Sequence, residues 1–174
     1  MPRHHPDTRS VAPGTRLSLR RVRPDGSDGD LIGWVLDANP DRLRLRDRHG
    51  AVHEVAWSAV RAWRAVGVAR GRDPLRTPRA HLDALADAAG VSGRVFVARL
   101  SDVLDGRRPP LLDDAGRPAP CSIVRDGEWA TAGTCADYIA LAWQAARADA
   151  RSLQVRTDDP SAIQALLALG FTEL

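Results

Sequence analysis

At 174 residues the chain has room for one ordinary domain or two small ones. Hydrophobic residues make up 44% and charged residues 27%, enough apolar material for a packed core, which argues against wholesale disorder. All 25 basic residues are arginine and 19 of the 22 acids are aspartate. Together with the many Ala, Gly and Pro this reads as GC-rich coding, so arginine richness alone is no argument for phosphate recognition.

The charge is uneven. Residues 1–70 hold 13 arginines against 8 acids, whereas residues 71–174 hold 12 against 14. The first part is the better candidate for an anionic partner, although a solvated basic face has the same signature. Cys121 and Cys135 lack C-x-x-C spacing, so neither a metal site nor a redox pair is expected. No apolar run reaches transmembrane length and the N-terminus has no signal-peptide core, which predicts a cytoplasmic protein without a membrane partner.

In chain order, residues 1–10 are polar and Pro-punctuated, as in a flexible arm. Residues 11–68 read as five short strands. Leu17 and Leu19 alternate with polar neighbours, a Gly-rich loop follows, and "LIGWVLDA" is an apolar strand with Gly33 as a possible bulge. "RLRLR" sets Leu43 and Leu45 on one face and Arg42, Arg44 and Arg46 on the other. "AVHEVAW" is the fourth strand, "SAV" a helical turn and "RAWRAV" the fifth strand. Closing such a sheet into a barrel hides its edges. The arginine row offers an electrostatic nucleic-acid surface, with Trp34, Trp57 and Trp63 as stacking platforms or, alternatively, as core.

The segment from Gly14 to Val66 resembles the SH3-like module that precedes the acetyltransferase domain in some actinobacterial GNAT N-acetyltransferases. Gly14-Thr15-Arg16, Pro24-Asp25-Gly26, Ile32-Gly33, Gly50 and Val60 carry the likeness.

Residues 69–78 read as a linker. After it Thr77 can cap a helix that buries Leu82, Leu85, Ala86 and Ala89 and stops at Gly90. Residues 91–105 are ambiguous between strand and helix. As helix, the span 82–104 resembles a helix-turn-helix DNA-binding unit, with Arg94 and Arg99 as its hydrogen-bonding side chains. Residues 105–120, including Asp113 and Asp114, read as loop.

From residue 119 the pattern is hairpin, helix, strand, helix. The hairpin turns at Asp126-Gly127, the first helix carries Ile139, Ala142, Trp143 and Ala146, and "SLQV" is the strand. Asp159 caps the last helix, Pro160 suits its first turn and Gly170 its end. This order implies an α/β sandwich with one parallel strand pair.

The closing residues Asp159, Ala162, Ile163, Leu169, Gly170 and Phe171 resemble the C-terminal motif of the GNAT fold. The expected fold is therefore α+β with two domains, an SH3-like barrel and a shortened GNAT-like α/β domain over 79–174. The resemblance implies acetyl-CoA as cofactor and a small-molecule or protein amine as acceptor. The backbone at Gly133 and Thr134 would cradle the pyrophosphate at a helix start, Asp159 stands where the family has Asn, and Tyr138 is the one phenolic candidate for general acid. An acetyl-CoA site would appear as a splayed cleft beside strand 152–155 and the helix starting near residue 136.

Several positions depart from the family pattern. No Arg or Gln stands three residues before Gly133, Asp137 brings a negative charge to the phosphate position, and Leu166 replaces the frequent catalytic tyrosine. The strand that follows Gly-Phe is expected to be missing, which leaves a sheet edge open for a second copy. A catalytically degenerate member fits these departures. So does a non-enzymatic interaction or DNA-associated module using the basic face or Arg94 and Arg99.

Overall fold

The computed structural model describes residues 11–107 and 121–174. The expected arm and the loop around Asp113 and Asp114 lie outside them. The chain forms two compact units with their boundary between Gly67 and Val68, each an α+β or β layer built on a five-stranded sheet.

The first unit contains β1 (Arg16–Val22), β2 (Asp28–Ala38), β3 (Arg42–Asp47), β4 (Val52–Ala56) and β5 (Val60–Ala65), with a 3-10 turn at Trp57–Ala59 before β5. All neighbours are antiparallel, in the order β4-β3-β2-β1-β5. Period-two alternation decides which face is buried. Leu17, Leu19, Val35, Leu43 and Leu45 are inaccessible to solvent and pack with Val55 and Trp57, each contributing about 2 kcal/mol by leaving water.

The turns are set by short acceptors. Asn39 Oδ1 accepts from the Asp41 and Arg42 amides, and Asp47 Oδ1 from those of His49 and Ala51. Among the described residues no pairing joins β4 to β5, so the sheet is open where closure was expected. The 3-10 turn carries the chain past β4, and β5 pairs with β1 alone.

Gly33 is not the bulge. A Cβ there would lie 2.7 Å from the Arg46 carbonyl oxygen, so the residue is small because β3 passes close. The register shift falls between Val35 and Asp37. Trp34 and Trp57 are buried, and Trp57 Nε1 donates to the Asn39 carbonyl at 2.9 Å. Trp57 serves the core, whereas register places Trp34 on the opposite face between Arg16 and Arg46, with the Arg16 guanidinium over its ring.

The second unit contains α1 (Arg79–Ala89), β6 (Arg94–Arg99), α2 (Leu100–Val103), β7 (Val124–Asp126), β8 (Trp129–Ala132), α3 (Tyr138–Arg147), β9 (Ser152–Thr157), α4 (Pro160–Ala168) and β10 (Thr172–Glu173). Its sheet runs β10-β6-β9-β8-β7. β8 and β9 are the parallel pair, joined through α3, and the other neighbours are antiparallel. Asp159 caps α4, accepting from the Ser161 amide at 2.8 Å. Thr77 closes a 3-10 turn at Pro74–Arg76 instead of capping α1, whose cap position is Pro78.

Two expectations are overturned. The ambiguous segment is strand β6 with a short helical turn after it, so the helix-turn-helix reading of 82–104 fails. Val95, Phe96, Val97 and Ala98 are all buried, which satisfies both faces of an interior strand and would crowd any groove-facing helix. The strand after Gly170-Phe171 is also present. Thr172 and Glu173 pair with Val97 and Phe96, so the chain itself occupies the edge beside β6.

β9 is buried along its whole length although it carries polar residues. Gln154 Nε2 donates to the Leu82 carbonyl at 3.0 Å, and the Arg156 guanidinium meets Asp83 at 2.6 Å. Arg94 pairs with Glu173, tying β10 to β6. The hydrogen bond from Arg156 holds the Asp83 carboxyl below the usual range, and Arg94 does the same to Glu173. Carboxyls depressed on folding stabilise the fold above their unfolded pKa and lose that contribution as the pH falls through the folded value. We expect stability to drop as the pH falls below about 4. The drop should be shallower in Asp83→Asn/Glu173→Gln, measured by urea midpoints across the acid range.

Candidate functional site

The loop between β8 and α3 holds the two residues expected to cradle a pyrophosphate. Gly133 and Thr134 leave the C-terminal end of β8, and Asp137 opens α3. The Asp137 carboxylate accepts from the Ile139 and Ala140 amides at 3.0 and 2.9 Å. These are the donors a helix N-terminus offers to an anion. Here the chain's own cap takes them, and an arriving phosphate would meet both an occupied site and a negative charge.

The strands do not splay at this point. β8 and β9 stay in register to Ala132 opposite Val155. Beyond that pair the Thr134 and Thr157 hydroxyls share a hydrogen bond of 2.8 Å, and the Asp159 amide donates to Thr157 Oγ1 at 3.1 Å. This chain of hydroxyls closes the gap between the two parallel strands. Thr157 was not foreseen, and no local pattern marks its pairing with Thr134 across 23 residues.

Cys121 and Cys135 form a disulfide with their Cα atoms 5.9 Å apart. The spacing of the two cysteines gave no sign of this bridge, which forms because β7 and β8 fold back and bring the two flanking loops together. Gln144 Nε2 supports the same junction by donating to the Cys121 carbonyl at 3.0 Å.

The other expected residues are scattered. Tyr138 is 5% exposed, and its hydroxyl accepts from the Cys135 amide at 3.2 Å. Asp159 serves α4, and hydrogen bonds from Ser161 hold its carboxyl below the usual range. Leu166 is fully buried. Arg94 sits on β6 against Glu173, with its guanidinium over the Phe96 ring. Arg99 donates to the Arg72 carbonyl at 3.1 Å and faces Asp73 and Asp102. Among the described residues no group of three or more His, Cys, Asp or Glu is placed to hold a metal ion, and no helix is long and apolar enough to cross a membrane.

The arginine row lies on the outer face of the first sheet. Register places Arg16, Arg20, Arg42, Arg44, Arg46 and Arg64 there, interspersed with Asp28, Asp30, Asp37 and Glu54. Arg42 meets Glu54 and Arg44 meets Asp37, each at 2.7 Å. Arg46 is exposed and has no carboxylate partner among the described residues. The face is therefore a mixed lattice of charge with a modest basic excess. No protein-family model matches the chain, and no curated protein matches it significantly.

Proposed function

We propose that the chain is a non-enzymatic interaction module built on an SH3-like sheet and a GNAT-related α/β unit that has lost its acetyl-CoA site. The observation that carries this reading is the self-occupied loop. Asp137 holds the α3 amides that would bind a pyrophosphate, and Thr134 and Thr157 bridge the strands that would have to part. The strand order β4-β3-β2-β1-β5 with a 3-10 turn before the last strand supports the SH3-like assignment. The β8-α3-β9 parallel unit followed by α4 and β10 supports the GNAT-related one.

The partner on this reading is anionic and meets the outer arginine face. Exposed ion pairs such as Arg42–Glu54 exchange readily, because solvent already screens them. A polyanion can replace the carboxylates, at the cost of leaving those carboxylates beside it. Titration of acetyl-CoA to high micromolar concentration is expected to give no heat, and a saturable heat would overturn the loss of the site in favour of an active acetyltransferase. A gel shift with duplex DNA is expected to weaken as salt rises, to vanish in Arg42→Ala/Arg44→Ala/Arg46→Ala and to strengthen in Glu54→Gln. Binding unchanged by the triple variant would rule out this face.

A further inference from the structure

The first sheet ends in a strand with one unpaired side. The Asp47 amide donates to the Ala51 carbonyl and the Trp57 amide to the Asp41 carbonyl. Residues 53 and 55 therefore bond inward to β3 in the ladder between them. The backbone N–H and C=O groups of Val52, Glu54 and Ala56 point away from β3, and no hydrogen bond takes them among the described residues. Proline and β-bulges commonly guard such an edge. β4 carries neither.

A pocket of about 440 Å³ opens beside this edge, between residues 54–56 of β4 and the end of β1, with Arg61 of β5 on its wall. Its cations are Arg21, Arg23 and Arg61, and its one acid is Glu54, whose carboxylate is bonded to Arg42. The backbone explains why two of the cations stand there. Arg21 follows Leu17 and Leu19 in period two, so it lies half-buried on the core side of β1, beyond the last leucine. Arg61 is the extra residue of a bulge in β5, since Arg20 opposes Ala62 and Arg21 opposes Val60. Neither arginine meets a carboxylate among the described residues. Arg23 is committed elsewhere. It lies back across Gly29, where a Cβ would stand 2.3 Å from its Nε. The pocket thus joins a row of unpaired backbone groups to two uncommitted guanidinium groups.

We propose that this edge takes an extended acidic peptide segment as an added strand, with carboxylates at alternate positions meeting Arg21 and Arg61. The backbone groups of Val52, Glu54 and Ala56 hold the segment by main-chain pairing. Alternate side chains of a strand share a face, so two acids spaced i, i+2 turn together toward the arginines. A lone small anion leaves the edge unpaired, and a basic strand meets the pocket's cations. The site uses none of Arg42, Arg44 and Arg46, so it is distinct from the outer face assigned to DNA.

The probes are the peptide Ac-TEVDVT-NH2, its reordered form Ac-TEDVVT-NH2 with adjacent acids, and Ac-TKVKVT-NH2. Binding to the full chain is read by NMR titration and by amide hydrogen exchange. The first peptide is expected to bind with Kd below about 1 mM and to slow exchange of the Val52, Glu54 and Ala56 amides. The reordered peptide should bind at least about fivefold more weakly, and the basic one not at all. Arg21→Ala/Arg61→Ala should weaken the first peptide at least about tenfold, and Arg21→Glu/Arg61→Glu should turn the preference to Ac-TKVKVT-NH2. Arg61→Ala alone, at an exposed position, carries the same test at about threefold if the double variants do not fold. The proposal fails if no peptide binds at millimolar concentration, if the reordered peptide binds equally, or if binding leaves the three amides unprotected. It also fails if folded Arg21 and Arg61 variants bind as the parent does. Protection of these amides in a dimer of the free chain would make a second copy the occupant and would equally overturn it. The DNA gel shift addresses different side chains, so either reading can fall alone.

Discussion

Replacing Cys121 and Cys135 together with serine is expected to lower the stability of the second unit by about 3 kcal/mol, the loop-closure value for a ring of about 15 residues. The bridge spans 14 positions and fixes the start of the β7 hairpin to the loop before α3. Without it the unfolded chain regains the freedom of that ring, while the folded chain keeps the Gln144 hydrogen bond to the Cys121 carbonyl. Denaturant titration of the oxidised parent, the double variant and the reduced parent makes the comparison. The last two should coincide, since both lack the covalent link. A difference below about 1 kcal/mol would mean that the hairpin is already held by its neighbours. A reducing compartment keeps such pairs as thiols. The expectation of a cytoplasmic chain and the observed bridge therefore pull in opposite directions, and the reduced form is the relevant one if that expectation holds.

Legibility in the sequence tracked the range of the interaction that decided each feature. The strands of the first unit could be read because Leu17, Leu19, Leu43 and Leu45 alternate locally and Asp25, Asn39 and Gly50 mark turns. The cap of α4 could be read because Asp159, Pro160 and Ser161 are adjacent. The disulfide, the Thr134–Thr157 bridge and the return of Thr172 and Glu173 to β6 could not. Each joins residues separated by loops whose path the local pattern does not set. Asp137 lay between these cases. Its charge was noticed as hostile to phosphate, but its role as the occupant of the helix amides needed the geometry. The polar residues of β9 were opaque for a related reason. Gln154 and Arg156 look like a solvent face until Leu82 and Asp83 of α1 arrive as partners.

Phe96→Ala should remove about 4 kcal/mol, within the range for deleting a buried aromatic ring. Phe96 is fully buried in β6, opposite Val155 on one side and Glu173 on the other, under the guanidinium of Arg94. Truncation leaves a cavity on the second strand of a five-stranded sheet, where relaxation is limited because β9 on one side and β10 on the other hold the backbone. Against a typical total of about 5–15 kcal/mol this brings the second unit close to unfolding at ambient temperature. Phe96→Leu keeps most of the volume and should lose about a third as much. Arg99→Ala, whose carboxylate partners Asp73 and Asp102 are solvent-accessible, should change stability far less. The helix-turn-helix alternative implies the reverse order, in which Arg99 governs DNA affinity and Phe96 is one apolar residue among several. Urea midpoints for the three variants, with DNA affinity measured on those that fold, separate the two. A small loss for Phe96→Ala with a large affinity loss for Arg99→Ala would return segment 94–99 to a recognition helix. The reverse pattern fixes it as an interior strand, and with it the sheet order that places Thr131 beside Gln154.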